Sequence, residues 1–320
     1  MTLVLTAASP LYVVQVSDRL LTKAAPGEKY APFDPVANKT VVYRATDGLV
    51  TIGYSGIAYI GETPTDEWLA EVLWGEPLHR GADGIRPAIA FQRRAVDWDI
   101  GLAAIKLQEA INNIPAGKML GHGLFLTIGG WQISHRHLRP VIIELTRAAK
   151  SVTTTLERAA RTAQKGRDFL LAHIGAHITN PTLRAYLTAH KAEHGSRLTI
   201  EDAEKIMAQI IRDTAGHQPT VGSHLMSVLL PKPGMGQPLC RFIESAPHFA
   251  RLVSKTTDVT MPTAFCPWLI GPGVLYPPSM VVGETTIGLG GIDFVIHGAA
   301  AKTSITGLSS SVRRPRLPRR

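Results

Sequence analysis

Cysteine is scarce. Cys240 and Cys266 are the only two in 320 residues, with no C-x-x-C pair and no histidine beside them at ligand spacing. That argues against a disulfide framework or a thiolate zinc site and leaves two structural thiols. Apolar runs of about 18–20 residues, the length needed to span a bilayer, are also lacking. The apolar opening Met1–Val16 has no basic leader and no small-residue cleavage site, and it alternates into Ser17-Asp18-Arg19. It is read as folded structure rather than a signal peptide, so no membrane is involved and the expected compartment is the cytoplasm. Phosphate-binding and metal-binding patterns are missing too. Gly234-Met235-Gly236 and Gly288–Gly291 have no Lys-Ser/Thr successor, so neither is a P-loop. His135-Arg136-His137 has no carboxylate at ligand spacing, and His173 and His177 fall on either side of a strand–turn boundary. The expectation is no metal and no cofactor.

Charge of one sign is abundant but badly distributed for a nucleic-acid binder. The net charge is +9, and Arg313, Arg314, Arg316, Arg319 and Arg320 supply five of those charges within the last eight residues. The remaining four are unexceptional over so long a chain. Ser309–Arg320 is rich in Ser, Pro and Arg and reads as a disordered, solvated tail, so a nucleic-acid partner is not expected.

What is present is a patterned globular chain, 45% hydrophobic and 18% charged. Leu3–Ala7 and Tyr12–Val16 read as strands on either side of a Ser9-Pro10 turn. After the Pro- and Gly-containing loop Lys23–Asp34 come Lys39–Ala45 and Leu49–Tyr54, hinged at Asp47-Gly48, a strong hairpin signal. Thr65 opens a helix with Trp68, Leu69, Val72 and Leu73 on one face. A linker over Gly75–Ala95 leads to a longer helix, Ile100–Ile114. Strands return at Gly123–Ile128, Pro140–Thr146 and Phe169–Ile174. Pro181–Glu193 reads as a helix, and Thr199 with Asp202 caps the next. His224–Leu230 is a further strand, with Ser279–Val282 and Ile292–Ile296 beyond it. Strands and helices in separate blocks predict an α+β fold: a four-layer αββα sandwich over residues 1–232. A β-rich extension packed on it covers 233–300, and the basic tail covers 301–320. No internal repeat is visible.

The opening block carries a resemblance. Thr2-Leu3-Val4, Val13-Val14-Gln15-Val16-Ser17-Asp18-Arg19, Asn38-Lys39 and Val50-Thr51-Ile52-Gly53-Tyr54-Ser55-Gly56 together resemble the start of proteasome β-subunits and the related bacterial ATP-dependent peptidase, members of the N-terminal-nucleophile (Ntn) hydrolases. In that family a threonine begins a strand and an acidic residue follows sixteen positions later. Asp18 stands sixteen after Thr2. Lys39 matches the family's catalytic lysine if the Lys23–Asp34 loop carries extra residues, and Gly53 matches its oxyanion-hole glycine. Thr220-Val221-Gly222-Ser223 is similar to the family's Ser-Gly-Gly turn.

The resemblance implies a threonine-type hydrolase of peptide or other amide bonds. Thr2 would be the nucleophile once Met1 is trimmed, and its own α-amine would take the hydroxyl proton. Lys39 would lower the amine's pKa, Asp18 would orient Lys39, and the Gly53 N–H would bind the oxyanion. It also implies a homo-oligomer and does not by itself identify a regulatory ATPase. Two departures stand out. Gly175-Ala176 takes the place of a Gly-Ser that carries an accessory serine, and Asp213 comes too early for the Thr220–Ser223 turn. The rival reading is a non-catalytic scaffold or interaction subunit on the same fold, and a third is a small-molecule amidase.

Overall fold

The computed structural model describes residues 2–25, 28–35, 37–78, 90–91, 98–119, 122–149, 151, 155–158, 170–178, 198–243, 249–254, 257–278, 280–282, 287–289 and 291–297. The expected helix Pro181–Glu193 and the basic tail lie outside them.

Leu3–Ala8 (β1) and Tyr12–Asp18 (β2) pair antiparallel. At their turn the Ser9 hydroxyl oxygen accepts from the N–H groups of Leu11 and Tyr12, both at 3.1 Å, a local bond that favours turn over strand. Leu21–Ala25 (β3) and Glu28–Asp34 (β4) form a small hairpin of their own, with irregular register. The expected loop Lys23–Asp34 is thus largely strand, and its Pro and Gly punctuation conceals the short strands on both sides. Thr40–Ala45 (β5) and Gly48–Gly56 (β6) follow, hinged at Asp47-Gly48 as expected. Tyr59–Ile60 (β7) and Thr63–Pro64 (β8) lead into helix α1, Thr65–Trp74. Ala90–Phe91 (β9) precedes α2, Ile100–Asn112, which Asp99 caps by accepting from the Leu102 N–H at 2.7 Å. Leu124–Ser134 (β10) and His137–Arg147 (β11) make a long hairpin, with Thr155–Arg158 (β12) beside it. Leu170–Gly175 (β13) and α3, Ile200–Ala215, come next, the helix opening on the Thr199–Asp202 capping box. Leu225–Pro231 (β14) ends the first two-thirds.

Residues 233–300, set apart by sequence as an extension, supply strands to both sheets. Leu239–Ile243 (β15), Ile287–Leu289 (β21) and Ile292–His297 (β22) complete a seven-stranded sheet ordered β13-β1-β2-β14-β15-β22-β21. Trp268–Gly271 (β18) and Val274–Tyr276 (β19) lie in an eight-stranded sheet ordered β12-β11-β10-β6-β5-β18-β19-β9. Phe249–Ser254 (β16), Thr257–Phe265 (β17) and Met280–Val282 (β20) form a separate three-stranded sheet. The result is a mixed fold dominated by sheet, with three helices among the described residues.

Strand alternation explains where the core sits. Val14 and Val16 of β2 join Ile206, Met207, Ile210 and Ile211 of α3 in one buried cluster. Val41 and Tyr43 of β5, with Val141 and Ile143 of β11, join α1 and α2 in a second. The intervening residues point the other way. Val13, Val42 and Ile142 share a third cluster with Met226, Val228, Phe242 and Phe294, so strands of both sheets contribute to it. Both sheets therefore bury both faces, which is why their strands read as near-continuous apolar runs. Trp131 ties the sheets at this third cluster, donating its indole N–H to the Leu230 carbonyl at 2.9 Å.

One buried cation closes the helical side. Arg147, only 2% exposed, donates to the Ile111 carbonyl, to that of Ile114 at 2.9 Å and to that of Ser151 at 3.0 Å. The Ile111 and Ile114 carbonyls lie at and just past the C-terminal end of α2, where the cation adds a donor and complements the helix dipole. Arg147→Met, which keeps the length and removes the donors, is expected to lower unfolding free energy by about 2–3 kcal/mol. Urea denaturation reads this directly, and a change below about 0.5 kcal/mol would remove the capping role.

Candidate functional site

The antiparallel register of β1 and β2 pairs Val4 with Ser17, so the start of β1 lies against the end of β2. Asp18 is fully buried there and does the work of a junction. Its Oδ1 accepts from the Leu3 N–H at 2.8 Å. Its Oδ2 accepts from the Lys39 ammonium at 2.9 Å, the Leu20 N–H at 3.1 Å and the Gly222 N–H at 3.0 Å. Four donors on one carboxylate explain how a charge can stand in a dry interior. They also bring four chain segments together: the start of β1, the end of β2, the start of β5 and the Thr220–Ser223 turn.

Lys39 is equally buried and donates in addition to the Leu20 carbonyl. Burial pushes its ammonium below the ordinary lysine range; the charge and hydrogen bond of Asp18 and the charge of Asp34 push it back up, while Arg19 lowers it further.

Thr2 sits just ahead of β1, with 6% of its surface exposed. Its carbonyl accepts from the Ala176 N–H at 2.8 Å and from the Ser55 hydroxyl at 3.1 Å. The peptide linking residues 2 and 3 is thus held at both ends, the carbonyl by β13 and β6 and the N–H by Asp18. Thr2, Asp18 and Lys39, chosen from sequence, are brought into one buried neighbourhood.

Gly53 lies elsewhere in β6. It pairs with Thr40 of β5 and Thr127 of β10. The Tyr54 N–H donates to the Lys39 carbonyl at 3.0 Å, so Tyr54 hydrogen-bonds toward β5. By alternation, the Gly53 N–H faces Thr127 in β10. A Cβ on Gly53 would come within 2.7 Å of the Val4 side chain and 2.9 Å of the Gln15 side-chain oxygen. The residue therefore admits close approach of the two sheets. Gln15 fills that space, accepting from Thr51 at 2.8 Å and Thr40 at 3.3 Å and donating to Thr6 at 3.0 Å.

Three further groups meet here that sequence reasoning did not single out as functional: Ser55, Ala176 and Gly222. The first and third lay within the segments that carried the resemblance, but only the folded register shows which atoms they aim at residues 2 and 18. Asp213 does not join them; it is exposed on α3 and accepts from Gln209 of the same helix at 2.7 Å. His135 and Arg136 occupy the exposed tip of the β10–β11 hairpin with φ of 50° and 66°, the left-handed pair of a tight two-residue turn. His173 is in β13, and burial and the neighbouring His177 hold it below the ordinary histidine value. Among the described residues, no group of three or more His, Cys, Asp or Glu side chains is placed to hold a metal ion. No helix among them is long and apolar enough to cross a membrane.

No protein-family model matches the chain, and no curated protein matches it. Among solved structures it is similar to a mutant form of Anbu from Hyphomicrobium sp. strain MC1, at 14% identity and a TM-score of 0.46, covering 72% of this chain and 82% of that one. A second Anbu structure from the same strain is similar at 15% identity and a TM-score of 0.44, covering 73% and 84%. Anbu of Yersinia bercovieri, described as an ancestral beta-subunit, is similar at 12% identity and a TM-score of 0.42, covering 72% and 81%.

The geometry separates the partners of the ion pair. Lys39→Met removes one donor from Asp18 and leaves its three backbone N–H donors in place. Asp18→Asn turns an amide toward a set of groups that are all donors. Both substitutions destabilise, the first by about 3 kcal/mol and the second by more. Urea unfolding of the two variants tests this, and the reverse order would show that the ammonium, not the carboxylate, organises the junction. Lys39 also gives a pH signature. Its folded pKa lies below the ordinary value of about 10.4, so between the two the unfolded chain holds the extra proton. Stability should rise with pH across that window, and Lys39→Met should lose that component of the rise.

Proposed function

We propose that the chain is a threonine-type N-terminal-nucleophile hydrolase built on a four-layer αββα sandwich, cleaving peptide or other amide bonds after Met1 is removed. The observation that carries this reading is the fully buried Asp18–Lys39 pair, joined through the Leu3 N–H to the residue that removal of Met1 would make the N-terminus. A buried ion pair is weak evidence for stability, because desolvation offsets its attraction. Beside a chain end bearing a small hydroxyl residue, it has a chemical use.

In the proposed reaction the freed α-amine of Thr2, which titrates near 7.7–8.0 in the absence of perturbation, takes the proton of its own Oγ as that oxygen attacks the amide carbonyl. The amine then returns a proton to the leaving nitrogen as the C–N bond breaks, and water hydrolyses the resulting ester. The Lys39 charge favours the neutral amine, and Asp18 fixes Lys39. The oxyanion donor expected at Gly53 fits Gly56 better. Strand alternation turns the Gly56 N–H to the same side as that of Tyr54, beyond the Thr40–Gly53 pair where β5 begins. A homo-oligomer in the cytoplasm, with no cofactor, belongs to the same reading. The sandwich assignment draws on three core clusters, two of which join a sheet to helices while the third is shared between the sheets.

A scaffold reading has one observation in its favour: Thr2 is 6% exposed, so a substrate must find it in a nearly closed site. The two readings part on the state of residue 1. Intact-mass analysis of the purified chain is expected to show Met1 absent, and a β-lactone probe is expected to modify Thr2. Thr2→Ala should abolish labelling, and Lys39→Ala should slow it by at least about 100-fold while the circular dichroism spectrum stays folded. Retained Met1 decides for the scaffold, and labelling undiminished in Thr2→Ala removes Thr2 as the nucleophile.

A further inference from the structure

We infer that Ser55 is a positioning residue for the nucleophile, its hydroxyl holding the Thr2 carbonyl so that the amine and Oγ of Thr2 keep one orientation. This rests on the proposed hydrolase reading and adds to it a residue which the resemblance left without a role.

A freed chain end lacks one of its two covalent tethers. Terminal residues fray unless they are tied down. Once Met1 leaves, Thr2 is tethered covalently on one side only. Rotation about the Leu3 N–Cα bond would swing the Thr2 carbonyl, amine and hydroxyl together while the rest of β1 stayed in the sheet. That rotation is controlled by whatever holds the carbonyl. Two groups do: the Ala176 N–H at 2.8 Å and the Ser55 hydroxyl at 3.1 Å. The Ala176 bond extends the β1–β13 ladder, where Leu3 pairs with Gly175, so it lies in the sheet that β1 itself belongs to. The Ser55 bond comes from the other sheet, and pins the carbonyl from a second direction. Together they use both lone pairs of a buried oxygen.

The surroundings fit that purpose. Ser55 is fully buried and shares its face of β6 with Thr51 and Gly53, the face that meets Gln15 and Val4. Gly175, with φ of 97°, takes a backbone conformation that residues with a side chain rarely adopt. A Cβ there would lie 1.7 Å from the Thr2 oxygen and 2.5 Å from the Ser55 hydroxyl oxygen. A glycine at 175 therefore keeps open the space in which the hydroxyl and the carbonyl meet. The next residue after Ser55 is Gly56, so the same strand end that holds residue 2 also presents the candidate oxyanion donor. Nucleophile and donor are thereby fixed to one rigid piece of backbone.

The test uses the full chain and the rate of β-lactone labelling at Thr2, measured over probe concentration, with thermal midpoints for each variant. In Ser55→Ala the limiting labelling rate is expected to fall about 10- to 100-fold, the scale of a displaced reacting group. The half-saturating probe concentration should stay within about twofold, since initial probe binding is not the interaction removed. Ser55→Thr, which keeps the hydroxyl, should recover most of the rate. If Ser55→Ala does not fold, Ser55→Cys, which keeps a weakly donating group, is read in its place and should show a smaller fall. Labelling of Ser55→Ala at the parent rate would overturn the positioning role and leave the hydrolase reading intact. A folded Ser55→Thr no faster than Ser55→Ala would do the same. Failure of the parent chain itself to label at Thr2 would remove both.

Discussion

A carboxylate sealed from water has to be surrounded by donors, and Asp18 is surrounded by four. Three are backbone N–H groups from separate parts of the chain, and the fourth is an ammonium that is buried itself. None of these segments is close to all the others in sequence, so the carboxylate acts as a fastening point between β1, the chain leaving β2, β5 and the turn before β14. The cost of desolvating two charges is offset only if every donor and acceptor is used. The Leu20 carbonyl helps satisfy the lysine side. The geometry around residue 2 then follows: once Leu3 donates to Asp18, the peptide ahead of it can turn its carbonyl only toward Ala176 and Ser55.

This polar fastening continues into the space between the sheets. Toward the hairpin turns the facing residues are apolar, with Val13, Val42, Trp131 and Leu230 in contact. Toward the site they become Thr6, Gln15, Thr40, Thr51 and Thr127, linked through the Gln15 amide. Gly53 belongs to this half, and its missing side chain lets Gln15 reach β5 and β6. A wholly apolar interface would bury more hydrocarbon, but it would leave the charged junction against a medium offering no hydrogen bonds. The threonines supply a graded boundary in which polar atoms are satisfied step by step.

Much of the strand and helix order was legible because both faces of each sheet are buried and the apolar runs are long. The Asp47-Gly48 hinge and the Thr199 cap also announce themselves locally. The sixteen-residue step from Thr2 to Asp18 is legible for a geometric reason: a two-strand hairpin whose register pairs Val4 with Ser17 necessarily folds those two positions together. Other features were hidden. The β3–β4 hairpin is irregular and stands outside the main sheets, held in part by the Lys23–Phe33 and Phe33–Tyr59 contacts, which leave no periodic trace. Gly53 and Gly56 are alike to a residue count, yet strand alternation sends their N–H groups to opposite sides. Only the register, visible in the Tyr54–Lys39 bond, tells one from the other. Ser55 was hidden for the same reason, since its value comes from the carbonyl it faces and not from its neighbours in sequence.

The hydrolase and scaffold readings share nearly all of this structure. The buried pair, the threonine-lined interface and the clamp on the Thr2 carbonyl would each hold the sheets together whether or not any bond is cleaved. Stability alone, however, gives no reason to bury a lysine–aspartate pair against the Leu3 N–H, because a well-packed apolar group of similar volume would serve as well or better. Nor does it explain why the peptide joining residues 2 and 3 should be held from both sheets at once, by Asp18 and Ala176 on one side and Ser55 on the other. In the proposed reading, the buried ion pair and the clamp on the Thr2 carbonyl meet at the residue that one cleavage, between Met1 and Thr2, would turn into an amine and a hydroxyl on the same carbon frame.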